Sequence, residues 1–296
     1  MTPRPRPRLL LLLSAALLAA PAAPGNLTGP APAPPPDALR LDPFYARYLD
    51  AGGIPVVGST RVPDEALAKA RDIVLAMLAH RPDLKAQLVR GGARVAILAE
   101  QEAITDLPEN RGWKKPAKDD PRLTACERKH YDLIEAASDR DYWNGRARGS
   151  GGLFTAAGAE NVLGLPGDRY FGENILVHEF SHAILDAIAA ADPALYRAVE
   201  AAYAHAVAAG LWKGDYAGVT VQEYWAEGTQ FWFDDNKLAR VGGANIVSDR
   251  DLARYDPALW RLLARVYGDR HRIAADAYYR HPARLDVPPG YQSADC

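Results

Sequence analysis

Ile175-Leu-Val-His178-Glu179-Phe-Ser-His182-Ala-Ile-Leu185 is the stretch on which the reading of this chain turns. Its apolar residues flank two histidines four apart, a spacing that predicts a buried helix. On an α-helix, positions i and i+4 lie about 40° apart around the axis, so His178 and His182 project from one face toward a single metal ion. Glu179 sits about 100° further round, within reach of a water beside that metal without being a ligand. Two imidazoles and one free carboxylate at H-E-x-x-H spacing point to zinc-dependent hydrolysis, with His178 and His182 as ligands and Glu179 as general base.

Such a centre needs a third protein ligand from another element and leaves the fourth position to water. The candidates are His205 and the two carboxylates of Thr220-Val-Gln-Glu223-Tyr-Trp-Ala-Glu227. Glu223 and Glu227 are again four apart, on a helix otherwise rich in aromatic residues. Two carboxylates are costly to bury there unless they bind something. Thr220-x-x-Glu223 also fits a capping box, in which Glu223 only closes the helix start. His205 lies in an alanine-rich amphipathic helix pattern, which reads as a core or surface histidine rather than a ligand.

HEFSHAI, followed roughly forty residues later by Tyr216-x6-Glu223-Tyr-Trp-Ala-Glu227, resembles the catalytic core of the anthrax lethal factor-like zinc peptidases, a branch of the gluzincins. The resemblance spans roughly residues 170–235. It implies a zincin-like fold in which His178, His182 and Glu223 hold Zn2+ and Glu179 is the base. It further implies that Tyr216 donates to the oxyanion, and that Glu227 accepts from a ligand histidine and orients it. The implied substrate is a peptide or protein. H-E-x-x-H fixes metal and water but not substrate, so a non-peptide bond of the cell envelope is a second expectation. A catalytically silent zinc-binding protein is a third.

The surrounding pattern predicts an α+β fold, mostly helical with a small mixed sheet. Helical periodicity covers 62–88, broken at Pro82, and then 169–191, 193–209, 220–235 and 251–267. Arg94–Ala99 reads as a strand and 105–125 as a surface loop. The glycine-rich run Trp143–Gly152 leads into Leu153-Phe154-Thr155, expected as an edge strand able to hold an extended peptide. That run lacks the Gly-Lys-Ser/Thr ending of a phosphate-binding loop.

Residues 1–22 open with three arginines, continue into an apolar run of about twelve residues and close on small residues, the signature of a signal peptide. The run is short of the roughly twenty residues that span a bilayer, so no stable membrane anchor is expected and the mature protein is read as secreted or periplasmic. Residues 23–40 form a Pro/Ala-rich linker, and 41–296 the catalytic domain, with 41–110 a possible N-terminal subdomain. Losing the leader takes the net charge from −2 to about −5. With no basic patch or polybasic tail, a nucleic-acid partner is not expected. Cys126 and Cys296 are a candidate disulfide, formed only if the compartment is oxidising.

Overall fold

The computed structural model describes residues 29–120, 123 and 125–288. The leader at 1–22, the first part of the linker and the Cys126–Cys296 pairing lie outside the described residues. From residue 29 onward the linker is docked: Ala33 exchanges backbone hydrogen bonds with Tyr48 at 3.1 and 2.7 Å. Among the described residues no helix is long and apolar enough to cross a membrane.

In chain order the elements are β1 (Arg47–Asp50), β2 (Pro55–Gly58), α1 (Asp64–Met77), α2 (Pro82–Arg90) and β3 (Arg94–Leu98). Three short helices follow, α3 (Ala125–Lys129), α4 (Tyr131–Ala136) and α5 (Asp139–Arg146), then β4 (Gly149–Ser150), β5 (Phe154–Gly158) and α6 (Ala159–Leu163). The remainder is α7 (Ile175–Ala191), α8 (Pro193–Ala208), α9 (Val221–Trp232), the hairpin β6 (Ala239–Val241) and β7 (Ala244–Ile246), α10 (Asp249–Tyr255) and α11 (Pro257–Tyr267). The fold is α+β with a small mixed sheet, as the sequence pattern predicts. Sheet order is β1-β2-β3-β5-β4, with β2-β3 and β3-β5 parallel and the outer pairs antiparallel.

Side chains alternate across the pleat. Val56, Val95, Ile97 and Ala157 face the main core with α1 and α7, while Val57, Ala96, Leu98 and Ala156 face a smaller cluster with Ile104 and Leu107. The central strands therefore read as continuous apolar runs, because both faces are covered. The expected edge strand is corrected here. β5 is interior, paired to β3 through Arg94↔Phe154 and to β4 through Gly149↔Ala157, and the edge is β4 inside the glycine-rich run. Phe-Thr-Ala-Ala-Gly, nearly all small or apolar, suits a strand covered on both sides better than an edge.

Helix boundaries differ from periodicity where local chemistry intervenes. α7 starts at Ile175 rather than 169 because Gly172 (φ 109°) breaks the approach and the Asn174 side chain caps, accepting from Val177 N–H at 3.1 Å. The predicted 251–267 helix is two helices. Asp256 sits before Pro257, where helical backbone is disfavoured, and its carboxylate caps α11 from Leu259 N–H at 3.0 Å. The same carboxylate accepts from Tyr224 hydroxyl (2.7 Å) and Trp212 Nε1 (3.1 Å), tying α9 to the turn after α8 and the start of α11. α9 stops at Trp232 just before Asp234, which is left-handed at φ 57°.

Behind α9, the buried carboxyls of Asp235 and Asp276 lie within electrostatic reach of each other. Burial pushes Asp235 well above the usual carboxylate range, with the Asp276 charge adding, and pushes Asp276 up to about 6 against the hydrogen bonds it accepts from Tyr278 N–H and Asn174 Nδ2. A carboxyl whose pKa rises on folding contributes stability that is complete below its unfolded value, near ~4, and is lost as pH climbs through the folded value. Asp235→Asn replaces this carboxyl with a group of similar shape that never ionises. Urea denaturation as a function of pH is expected to show the variant gaining on the wild type by about 1–2 kcal/mol between pH ~4 and ~7. Parallel stability curves would show that the pair holds no proton.

Candidate metal centre

Two helices build the site, and their ends are tied together before any metal is considered. Asn174 at the start of α7 donates its backbone N–H to Asp235 carbonyl (3.0 Å), and its carbonyl accepts from Gln230 Nε2 (3.0 Å). Asn161 Oδ1 receives the Ile175 N–H at 2.8 Å. α7 and α9 are thereby fixed in register, with the polar face of each turned toward the other.

Across that interface His178 Nε2 lies 3.0 Å from Glu223 Oε2, and His182 Nε2 lies 3.6 Å from the same oxygen. Glu179 Oε2 is 4.0 Å from His182 Nε2. His178, Glu179 and His182 each offer a ligand atom within 4.8 Å of the others. Thr220 Oγ1 does accept from Glu223 N–H, at 3.2 Å. The Glu223 carboxylate does not return to close that cap, being directed at the two imidazoles instead. His205 is exposed on α8 and does not join the cluster.

Gln230 fixes how His178 presents itself. Its amide nitrogen is committed to Asn174, so its Oε1 is the atom 3.0 Å from His178 Nδ1. Nδ1 must then carry a proton and donate, so Nε2 is the nitrogen that meets the Glu223 carboxylate. Glu227 stands slightly farther off, its Oε1 3.5 Å from His178 Nδ1 and its Oε2 accepting from Asn236 Nδ2 at 2.7 Å. Sequence reasoning missed Gln230. The signal was available, since 223, 227 and 230 follow the i, i+4, i+7 spacing of one helix face.

Tyr216 begins a short 3-10 turn capped by the Asp215 side chain, which accepts from Ala217 N–H at 3.0 Å. Its ring stacks over His178 with centroids 6.3 Å apart and planes 23° apart, and its hydroxyl donates to the Glu223 carboxylate. Burial raises its pKa, with the Glu223 charge adding to the effect, so the phenol stays protonated.

Electrostatics show what the cavity lacks. Burial pushes Glu179 up to about 7, with the Glu223 charge adding and His178 opposing. Burial also pulls His182 down to about 4, reinforced by positive charge on His178. For His178 burial acts downward, but the Glu223 hydrogen bond and the nearby carboxylates outweigh it and hold the group at about 10. Glu223 stays below its ordinary value despite burial because of that same bond. A proton on His178 places a positive charge against the Glu179, Glu223 and Glu227 carboxylates, a role that a dication can take over. The donor set suits zinc: ligand atoms at ~2.0–2.1 Å from a tetrahedral ion stand about 3.3 Å apart, bracketed by the separations from Glu223 Oε2.

The edge strand closes one side of the site at van der Waals range. A Cβ at Gly149 would stand 2.6 Å from Ile175 Cγ2 and 2.7 Å from Glu179 Oε1, and one at Gly151 would stand 2.4 Å from His182 Cδ2.

No protein-family model matches the sequence, and no curated protein matches it. Among solved structures the chain is similar to a Pro-Pro endopeptidase from Paenibacillus alvei, at 16% identity and a TM-score of 0.43, covering 71% of this chain and 95% of that one. That likeness is too slight to assign fold family or chemistry.

The two glycines make separable predictions. Gly151→Ala displaces the His182 imidazole and, where that imidazole is a zinc ligand, is expected to weaken zinc affinity about 10–100-fold in competition with a chromogenic chelator. Gly149→Ala crowds Glu179 instead and should leave that affinity within about threefold.

Proposed function

We propose that the chain is an exported zinc-dependent peptidase, a member of the gluzincins related to the lethal factor-like enzymes. The observation that carries this reading is the convergence of His178 Nε2, His182 Nε2 and Glu223 Oε2, with the Glu179 carboxylate beside them at 4.0 Å from His182 Nε2. His178, His182 and Glu223 would hold the zinc. Zinc so held supplies Lewis acidity, polarising a water and the scissile carbonyl.

The chain's own groups supply the rest. Glu179 takes a proton from the attacking water and returns it to the leaving nitrogen, and its buried setting keeps its basicity near that required at neutral pH. Tyr216 keeps its phenolic proton and offers it as a hydrogen bond to the developing oxyanion. Gln230 and Glu227 hold His178 in one tautomer and one ring orientation, which spares the site rearrangement during turnover. β4, paired only on its β5 side, leaves its outer backbone groups for an extended substrate, and Gly149 lets that strand lie against Glu179. An N-terminal leader places the enzyme outside the cytoplasm.

Purified protein is expected to carry one equivalent of zinc by metal analysis and to cleave members of a peptide library. Glu179→Gln should retain the zinc while losing at least ~10²–10⁴-fold in kcat/KM. Tyr216→Phe should lower kcat about 10–10²-fold with KM little changed. Full activity of the Glu179→Gln variant would overturn the mechanism. An active protein that cleaves only ester or glycan substrates would move the same centre to another bond.

A further inference from the structure

The strand that borders the metal centre is poorly equipped to hold its own place. β4 has two residues and two register pairs, Gly149↔Ala157 and Ser150↔Ala156, and its other side is the edge of the sheet. Strands in folded proteins commonly run to about five or six residues, and glycine loses more chain freedom on ordering than any other residue. Gly149 and Gly151 also have no side chain with which to grip a neighbour. Yet this backbone stands at van der Waals range from Glu179 and His182.

The residue just before the strand supplies a hold. Arg148 is 5% exposed, and its guanidinium reaches three groups in different directions. Nε donates to Glu160 Oε1 at 2.7 Å, Nη2 to the Ala99 carbonyl at 3.2 Å, and Nη1 to the Glu102 carbonyl. Ala99 follows the last residue of β3, and Glu160 stands in the first turn of α6, just past β5. One side chain therefore ties the start of β4 to the end of β5, its neighbour, and to the end of β3 beyond.

The groups that receive Arg148 are themselves fixed. Glu102, 1% exposed, accepts from Ser59 Oγ at 2.6 Å and from Ala99 N–H at 2.8 Å, which holds the turn after β3 against the end of β2. A Cβ at Gly158 would stand 2.5 Å from Glu160 Oε1, so that glycine clears the space in which the carboxylate meets Arg148. A buried guanidinium is costly unless its donors are matched, and here the fork is met by a carboxylate and two carbonyls held in place.

None of these partners belongs to the metal centre. Side chains alternate across a strand, and Gly149 and Gly151 are the positions turned toward α7. Arg148 lies on the opposite side of the pleat, so its influence on the centre passes through the backbone of 149–151.

We infer that Arg148 is a positioning residue for an extended substrate. It sets how closely β4 stands to Glu179, and with it the line along which a peptide pairs with that strand. The effect on substrate rests on the peptidase reading; the hold on β4 does not. Lysine cannot reproduce it, because an ammonium is a compact point charge without the planar fork.

Arg148→Lys keeps the charge and loses the fork. In hydrogen exchange of the zinc-loaded protein, the backbone of 149–151 is expected to exchange at least about tenfold faster than in the wild type, with α7 unchanged. For an internally quenched peptide of about eight residues, KM should rise at least about tenfold with kcat within about threefold. A blocked dipeptide, too short to pair along β4, should be cleaved at the wild-type rate, and zinc affinity should stay within about threefold. If Arg148→Lys does not fold, Arg148→Met combined with Glu160→Gln removes the guanidinium and its buried counter-charge together and carries the same expectations. Unchanged exchange at 149–151 overturns the inference, as does an unchanged KM for the long peptide. Equal loss on both substrates, or loss of zinc affinity, overturns it too by marking a general structural role. A wild type that cleaves no peptide would overturn the peptidase reading, and exchange at 149–151 would then decide whether Arg148 holds the strand.

Discussion

The contact on which the molecule depends is the one between His178 and Glu223, made from two helices and out of reach of most solvent. Removing two ionisable groups from water is expensive, and their attraction alone rarely compensates. Here it is supported on every side. Gln230 and Glu227 receive the far nitrogen of His178, Tyr216 donates to Glu223, and the helix ends are pinned through Asn174. The aromatic packing of α9, with Tyr224, Trp225, Phe231 and Trp232 all fully buried, contributes roughly 1.5–3 kcal/mol per side chain and secures the helix that brings the carboxylate in.

The site is thus assembled from opposite kinds of surface on single elements. α7 buries Leu176, Val177, Phe180 and Ile184 in the core while presenting His178, Glu179 and His182 to the cavity. α9 does the same with its aromatic and carboxylate faces. Placing chemistry on rigid helices, and leaving loops to cap them, holds the polar atoms within the few tenths of an ångström that metal binding tolerates.

Much of this was legible in the chain itself. His178-Glu179-x-x-His182 announced its geometry because helical spacing alone brings the three groups together. The convergence of Glu223 on them is long-range, and it was the resemblance of the Tyr216-to-Glu227 segment that set Glu223 above a helix-capping role. The α+β class followed from periodicity. The position of β5 did not, since a two-residue edge strand such as Gly149–Ser150 is too short to leave any alternation. Gln230 and the Asp256 hub were hidden for a related reason: a side chain that holds others in place has no motif of its own.

Gly149 and Gly151 contribute to the centre by what they lack. At each, a hydrogen occupies the volume where every other residue carries a carbon, and that difference brings a backbone into contact with the working face of a helix. Such a boundary leaves no chemical group by which to recognise it. It makes the width of the cleft on this side a backbone property, indifferent to the polarity of whatever residue is tried and intolerant of its bulk.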